Sequence, residues 1–355
     1  MSPAPLQITL GIVNFNGLGQ ISETLRCAQA STPPAEEILV IDNGSTDGSA
    51  EAIAENFPNI TLIRSPENLG SAKARNLLLE KARHPYVMLL DHDISLRPDT
   101  LERLYAFMNA TPEAGACHPE IEDPQDPEVH HYNGGGIHYL GALISREKPA
   151  AERRMIPEAF VTVSGAALMV RAEASRHVGG MDPDYFFNWE DGDFTCRLTL
   201  AGHPCYNLPV ARVLHRSKPR GLSKAFYQVR NRWYFILKLY DRRTLVLILP
   251  MLALFEAVQM TFLHLKGEGG AYWKANAAVW KSLPAIRQKR RHFKSIKLLS
   301  DRAWLKAGKM YVPPSFCKNK PLLYVHNALN TIFSAYWALI RIFLASTQSE
   351  QTPNR

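Results

Sequence analysis

The sequence predicts an α/β protein: an open, mainly parallel sheet with helices on both faces, joined to a basic helical region. Three observations carry that expectation. Segments with strand and helix patterning alternate at βαβ spacing through residue 90. The apolar run that begins at Tyr86 ends abruptly in two carboxylates, Asp91 and Asp93, as a strand buried on both faces does where it leaves a sheet. Charge is also divided along the chain: residues 221–355 carry 22 Lys/Arg against 5 Asp/Glu, and residues 1–220 carry 19 against 28. The expected domains follow that division, 1–220 as an acidic body and 221–355 as a basic helical region.

Ile8–Asn14 reads as the first strand and Leu18–Ala30 as a helix with apolar residues near helical spacing. Glu37–Asp42 is a second strand, closed by Asn43-Gly-Ser-Thr-Asp-Gly48, where Thr46 or Asp47 caps a helix over Ala50–Phe57. Ile60–Arg64 is a short third strand, Asn68 opens a helix running to Arg83, and Tyr86–Leu90 is the fourth strand. Ligands of such sheets bind beyond the carboxyl ends of the strands. Phe15, Asp42, Asn43, Asp91 and Asp93 all fall there.

Alternation along an extended strand end points Asp91 and Asp93 to the same side. A hard divalent cation that keeps positions open for phosphate oxygens suits such a pair. An acidic turn capping the next segment uses the same residues. The first strand is followed by Asn16-Gly-Leu-Gly-Gln20 rather than Gly-x-Gly-x-x-Gly, and no Walker-type lysine loop is present. The first fact disfavours a dinucleotide-dependent oxidoreductase.

Residues 111–160, rich in Pro, Gly, His and Glu, read as loops and short antiparallel strands forming one wall of a cleft. Phe160–Val170 reads as one buried strand, whose Ser164-Gly165-Ala166 leaves room for a ligand or a second backbone; tight packing explains the same small residues. Met181–Asp193 crowds aromatics against acids, and Phe194–Ala201 has helical character. Here Asn188 or Glu190 serves as a helix cap, or an aspartate at the helix start acts as general base towards a sugar hydroxyl. Both readings stand on the residues alone.

After a segment at Val210–His215, Tyr227–Tyr240 reads as a helix with an aromatic and basic surface. Thr244–Phe255 is apolar but is interrupted by Pro250 and closed by Glu256, which suits a re-entrant or interfacial segment rather than a span. Arg287–Lys297 is densely basic. On a helix over Pro321–Ile340, Asn327, Thr331, Ser334 and Arg341 line one face, and Leu322, Val325, Leu329, Phe333, Tyr336 and Ile340 the other. That pattern suits lying in a membrane interface; packing on the body or on a partner chain is the alternative. A basic back joined to an acidic front fits an anionic membrane surface or another polyanion. The five cysteines are scattered at no metal-type spacing, which argues for a reducing compartment. Met1–Gln7 lacks the charged-then-apolar pattern of a secretion signal.

Taken together, several separated motifs over residues 6–240 resemble the family-2 inverting glycosyltransferases of the GT-A fold, and within them the rhamnosyltransferase-like branch that builds bacterial cell-surface polysaccharide. The resemblance implies that Phe15, beside Val13, forms the base-stacking edge and that Ile41–Asp47 is the nucleotide-contacting turn. Many members carry two aspartates there; Asn43 replaces the second, so which of Asp42 and Asn43 meets the base stays open. Asn68 and Arg75 match the donor-holding segment, and Asp91-His92-Asp93 the metal-binding Asp-x-Asp, with His92 on the donor side. His215 sits where relatives place a third metal ligand; without the family, a lone histidine is more often structural. Trp189-Glu190-Asp191 matches the acceptor-side motif, in which the position of Asp191 is the catalytic base, with Ser164 and Gly165 on the sugar side.

The implied cofactor is Mg²⁺ or Mn²⁺. The implied partners are a nucleotide-diphosphate sugar (dTDP-rhamnose or a UDP-sugar), a lipid-linked glycan or polysaccharide acceptor, and the cytoplasmic face of the bacterial inner membrane, met peripherally or monotopically. No nucleic-acid partner is expected, and a homo-oligomeric state is left open. Two other classes compete. A sugar nucleotidyltransferase would want a Gly-rich, lysine-bearing loop near the first strand, which is missing. A non-catalytic polyanion binder would rest on the basic tail, whose aromatic and apolar composition argues otherwise.

Overall fold

The computed structural model describes residues 4–122, 134–145, 155–216, 224–310 and 320–344. The chain separates into two compact units, residues 1–134 with 147–219, and residues 135–146 with 220–355.

The first unit is built on a nine-stranded sheet. Strands β1 (Leu6–Asn14), β2 (Ala35–Asp42), β3 (Thr61–Arg64) and β4 (Tyr86–Asp91) run parallel in the spatial order β3-β2-β1-β4. Helices α1 (Ile21–Gln29), α2 (Ser49–Asn56) and α3 (Ser71–Lys81) make the crossovers. Ile8, Leu10 and Ile12 on one face of β1, and Val87 through Leu90 on both faces of β4, are all fully buried, as the central strands of a covered sheet are. Ile21 and Leu25 of α1 join one side of that core, as do Leu101, Leu104 and Met108 of α4 (Thr100–Ala110).

Beyond β4 the sheet turns mixed. β5 (Ile94–Leu96), β6 (Ala116–Glu122), β9 (Glu158–Phe160), β10 (Ala167–Arg171) and β11 (Cys205–His215) extend it. β10 is antiparallel to both β4 and β6, β6 is parallel to β11, and β5 and β9 pair antiparallel with β11. The helices α5 (Ala172–His177) and α6 (Glu190–Leu200) complete the unit.

Three sequence expectations change here. Residues 111–160 hold, besides the short antiparallel strands expected, β6, a buried strand of the main sheet that runs parallel to β11. Its Pro119 cannot donate to a ladder and so argues against an interior strand. The β6–β11 register shifts between Leu208 and Arg212, next to the Leu208–Pro119 pair, and that irregularity accommodates it. Phe160–Val170 is two strands, β9 and β10, that pair with different neighbours, leaving Ser164-Gly165-Ala166 as the link into β10. Helix α6 begins at Glu190 rather than Phe194, so the acids occupy its first turn.

The second unit holds a three-stranded sheet, β7 (Gly135–His138) with β8 (Ala142–Ser145) antiparallel and β12 (Leu305–Lys306) parallel. Around it lie α7 (Ala225–Leu239), α8 (Arg242–Leu265), α9 (Gly269–Ile296), α10 (Asp301–Trp304) and α11 (Lys320–Ile340). The interruption expected at Pro250 does not occur, since α8 runs through it. Among the described residues, α8 is the one helix long and apolar enough to cross a membrane, by length and composition. In α11, Phe333 and Ile340 of the expected membrane-facing side are buried within the unit together with Trp337, and Tyr336 donates to Leu247 O at 2.7 Å. The polar side, with Asn327, Thr331 and Ser334, lines an open groove with Gly308 and Lys309.

Candidate active site

At the carboxyl end of the sheet, β4 delivers Asp91 and the turn after it delivers Asp93, while the last residue of β11 is His215. Pairing of β5 with β11 puts His215 opposite Ile94, one residue from Asp93. His215 Nε2 lies 3.2 Å from Asp93 Oδ1. One ligand atom from each of Asp91, Asp93 and His215 falls within 4.8 Å of the others. Burial disfavours the charge on Asp93. The hydrogen bond from His215 and the nearby His215 and His92 rings outweigh it and hold the carboxyl below its ordinary range. Two carboxylate oxygens and an imidazole nitrogen at this spacing fit Mg²⁺ or Mn²⁺, with room left for phosphate oxygens.

Arg75, on α3, is almost wholly buried, and its guanidinium is committed within the protein. It donates to Asp91 Oδ1 at 2.5 Å, to Ser71 Oγ at 2.7 Å and to Glu190 Oε1 at 3.3 Å. Arg75 therefore bridges the Asp-x-Asp turn and the first turn of α6. Burial pushes the Glu190 carboxyl up, and the neighbouring Asp191 charge adds to this, against the pull of Arg75.

Asp191 is held by two backbone amides: Gly165 N donates to Oδ2 at 2.9 Å and Gly192 N donates to Oδ1 at 2.8 Å. The residue after Gly165 closes the circuit, because Ala166 O accepts the Asp91 N–H at 3.0 Å. Gly165 is needed for this approach, since a Cβ there would lie 2.5 Å from Asp191 Cβ. Before α6, Asn188 and Trp189 both take left-handed backbone conformations, φ 68° and 71°. Such strain in non-glycine residues is kept only where the surroundings enforce it. Neither of the expected caps, Asn188 or Glu190, makes a side-chain cap; the helix starts from Trp189, whose carbonyl accepts the Asp193 N–H.

Those surroundings are partly residues that the sequence reading passed over. Arg197 is buried; it pairs with Asp193 at 2.7 Å and donates to Val178 O and Gly180 O. Asn76 brackets Met181 through two hydrogen bonds of 2.8 Å. Ser71 N donates to Phe186 O, and a Cβ on Gly70 would collide with that same oxygen. Asp193 and Arg197 are four apart on one helix, and that spacing was the available signal.

On the donor side, Phe15 is exposed and Val13, half-buried, lies opposite Asp91 in the β1–β4 register. Asp42 and Asn43 are both buried. Asp42 accepts from Asn14 and from Ser45 N; Asn43 accepts from Leu69 N and donates to Asn68. His92 is half-buried above Gly17, where a Cβ would meet its ring at 2.6 Å. Ser164 is half-buried and its Oγ accepts from Ala166 N at 3.4 Å.

An open α/β sheet with an Asp/Asp/His cluster at its carboxyl edge and a carboxylate-bearing helix start beside it is the GT-A glycosyltransferase architecture. Solved structures bear out the fold. GalNAc-T7 with UDP, GalNAc and Mn²⁺ superposes with a TM-score of 0.57 at 16% identity, over 69% of this chain and half of its own. The mannosyltransferase PcManGT of Pyrobaculum calidifontis, in complex with GDP-Man and Mn²⁺, gives 0.52 at 17% identity, over 96% and 88%. The sequence profile of Glycosyl transferase family 2 matches residues 9–179. N-acetylglucosaminyl-diphospho-decaprenol L-rhamnosyltransferase of Mycobacterium tuberculosis is 32% identical over 226 residues, covering 57% of this chain and 74% of the relative. The chain belongs to glycosyltransferase family 2.

Proposed function

We propose that the chain is a metal-dependent inverting glycosyltransferase that moves a sugar, rhamnose first among the candidates, from its nucleotide diphosphate to a hydroxyl of a lipid-linked glycan. The reading extends to a role in cell-surface polysaccharide synthesis at the cytoplasmic face of the bacterial inner membrane. The rhamnosyltransferase relative, whose name specifies a diphospho-decaprenol-linked sugar, supports donor and acceptor class. The observation that carries the reaction type is the short circuit from Asp191 through Gly165 and Ala166 to Asp91.

In this reading residues 1–220 form the catalytic body and residues 221–355 the membrane-associating region. Asp91, Asp93 and His215 would hold Mg²⁺ or Mn²⁺, which would supply positive charge against the departing diphosphate. Phe15 offers its face to the base, with Val13, Asp42, Asn43, Asn68 and His92 shaping the turn around the nucleotide. Arg75 acts mainly by fixing Asp91 and Glu190, with Ser164, Gly165 and Trp189 on the sugar side. Each Asp191 oxygen gives one lone pair to a backbone N–H and keeps another for the acceptor proton. Asp191 takes that proton as the acceptor oxygen bonds to the anomeric carbon. The bond to the diphosphate breaks with its electron pair leaving on the diphosphate, so one displacement inverts the centre and no enzyme nucleophile is used.

The test is a donor screen that follows nucleotide diphosphate release from a panel of activated sugars, with and without Mg²⁺ or Mn²⁺. Release from a dTDP- or UDP-sugar that needs the cation is expected. Cation-independent release, or none from any donor with a polyprenyl-diphosphate sugar acceptor, would overturn the assignment.

A further inference from the structure

The second unit carries an apolar surface of unusual extent for a chain with mean hydropathy of −0.18. On α8, Val246 and Leu249 are 72% and 60% exposed, and they belong to a stripe that recurs every three or four residues along the helix. On α11, packed beside it, Val325, Ile332 and Leu339 are exposed along a second stripe, which Ile342 continues. The two helices touch through Tyr336, which donates to Leu247 O, and through the Phe255–Phe333 ring contact. Apolar patches of this kind on a soluble surface mark an interaction site.

Charge identifies the occupant. Among the described residues of this unit there are four carboxylates, and three of them are ion-paired. Asp241 and Asp301 bond Lys297, Glu256 bonds Arg232 and Tyr272, and Glu268 is half-buried. Arg242, Arg243, Lys266, Lys281, Arg287 and Lys294 are all exposed. An apolar face among exposed cations, with few anions and most of those paired, complements an anionic lipid surface.

The same contacts decide how α8 meets the lipid. Glu256, in its second half, is paired with the buried Arg232 of α7, whose guanidinium also donates to Leu140 O. Leu263 packs with Ala225 and Val229 of α7 and with Tyr272 and Ala275 of α9. Phe255 lies under the same Arg232 guanidinium, 4.5 Å from it, so α8 is tied to α7 from Phe255 onward. The preceding turns, from Arg242 to Leu254, reach about 20 Å at 1.5 Å per residue, short of the ~30 Å hydrocarbon layer.

We propose that α8 and α11 form a ridge that lies in the plane of an anionic bilayer, inserting Val246, Leu249, Val325, Ile332, Leu339 and Ile342 into one leaflet without crossing it. This rests on the transferase reading only for why a membrane should be near. Binding to vesicles is measured without donor or acceptor, so a negative vesicle result leaves that reading standing, and a failed donor screen leaves this one.

The full chain is floated with phosphatidylglycerol–phosphatidylethanolamine vesicles and with phosphatidylcholine vesicles. Binding to the former alone, weakened by salt, is expected. Leu249→Glu with Leu339→Glu should reduce that binding roughly tenfold or more while leaving the melting midpoint and nucleotide binding unchanged, since both positions are exposed. For orientation, Arg243→Cys and Lys266→Cys, each in a Cys27→Ser, Cys317→Ser background, are treated with an impermeant maleimide on sealed vesicles. Labelling of both from outside is the in-plane result; protection of one end means a span. A span, no preference for anionic vesicles, or a Leu249→Glu/Leu339→Glu variant that binds as before but changes from dimer to monomer would each overturn the proposal.

Discussion

Replacing Gly165 by alanine perturbs the position of Asp191 without touching its chemistry. The added Cβ would sit 2.5 Å from Asp191 Cβ, whereas non-bonded carbons rest about 3.5–4.0 Å apart. Either Asp191 or the link into β10 must therefore retreat by about 1 Å. Gly165 does not occupy the left-handed region, so alanine adds no backbone strain of its own. A displacement of about 1 Å in a positioned group lowers turnover by about a hundredfold, equivalent to about 2.7 kcal/mol in the barrier. The assay is the turnover number at saturating donor and acceptor, run beside titration calorimetry of the nucleotide diphosphate with Mn²⁺ and a thermal melt. Expected are a fall of about a hundredfold in turnover, unchanged nucleotide affinity, and an overpacking loss of about 1–3 kcal/mol in stability. Wild-type turnover would refute the inference that Gly165 sets the base; a parallel loss of nucleotide affinity would show that the substitution acts on the donor side instead.

Four further substitutions have defined outcomes. Asp191→Asn should lower transfer by about 10²–10⁴-fold, the range for a general base, with donor binding intact. Asp93→Ala should do the reverse, weakening Mn²⁺-dependent nucleotide binding in calorimetry. Glu37 is buried, and hydrogen bonds from Thr9 and Arg83 hold its carboxyl below the ordinary range despite that burial. A carboxyl depressed in the folded state stabilises above its unfolded pKa and loses that contribution as pH falls through the folded one. Glu37→Gln should therefore cost about 1–2 kcal/mol at neutral pH and little at the most acidic pH, read as denaturant midpoints across an acid series. Arg197→Ala leaves the buried Asp193 carboxylate without its ion partner, which costs about 3–5 kcal/mol in urea unfolding.

The parallel half of the sheet was legible because β1, β2 and β4 are continuous apolar runs closed by polar turns, a pattern written in neighbouring residues. Asp91 and Asp93 were legible for the same reason. Beyond β4 local patterning stopped being a guide. β6 hid behind Pro119, which the shifted register with β11 absorbs, and Phe160–Val170 read as one strand although its two ends pair with different partners. Thr244–Phe255 reads as a short apolar segment holding Pro250 and closed by Glu256, whereas α8 runs through both from Arg242 to Leu265. The apolar face expected to meet lipid in α11 is in part the one that packs inward, and a second apolar face remains outside.

By itself, then, the sequence determined the α/β class, the family and the chemical types at the sheet's edge, since each is encoded by residues close together in the chain. Tertiary structure alone decided that Asp191 reaches Asp91 through Gly165 and Ala166, that Arg75 spends its guanidinium on Asp91 and Glu190, and that Glu256 ties α8 to α7. The physical reason is distance along the chain. Hydrogen bonds and ion pairs between residues tens of positions apart depend on strand order and register, and those are settled only when the whole sheet and its helices pack.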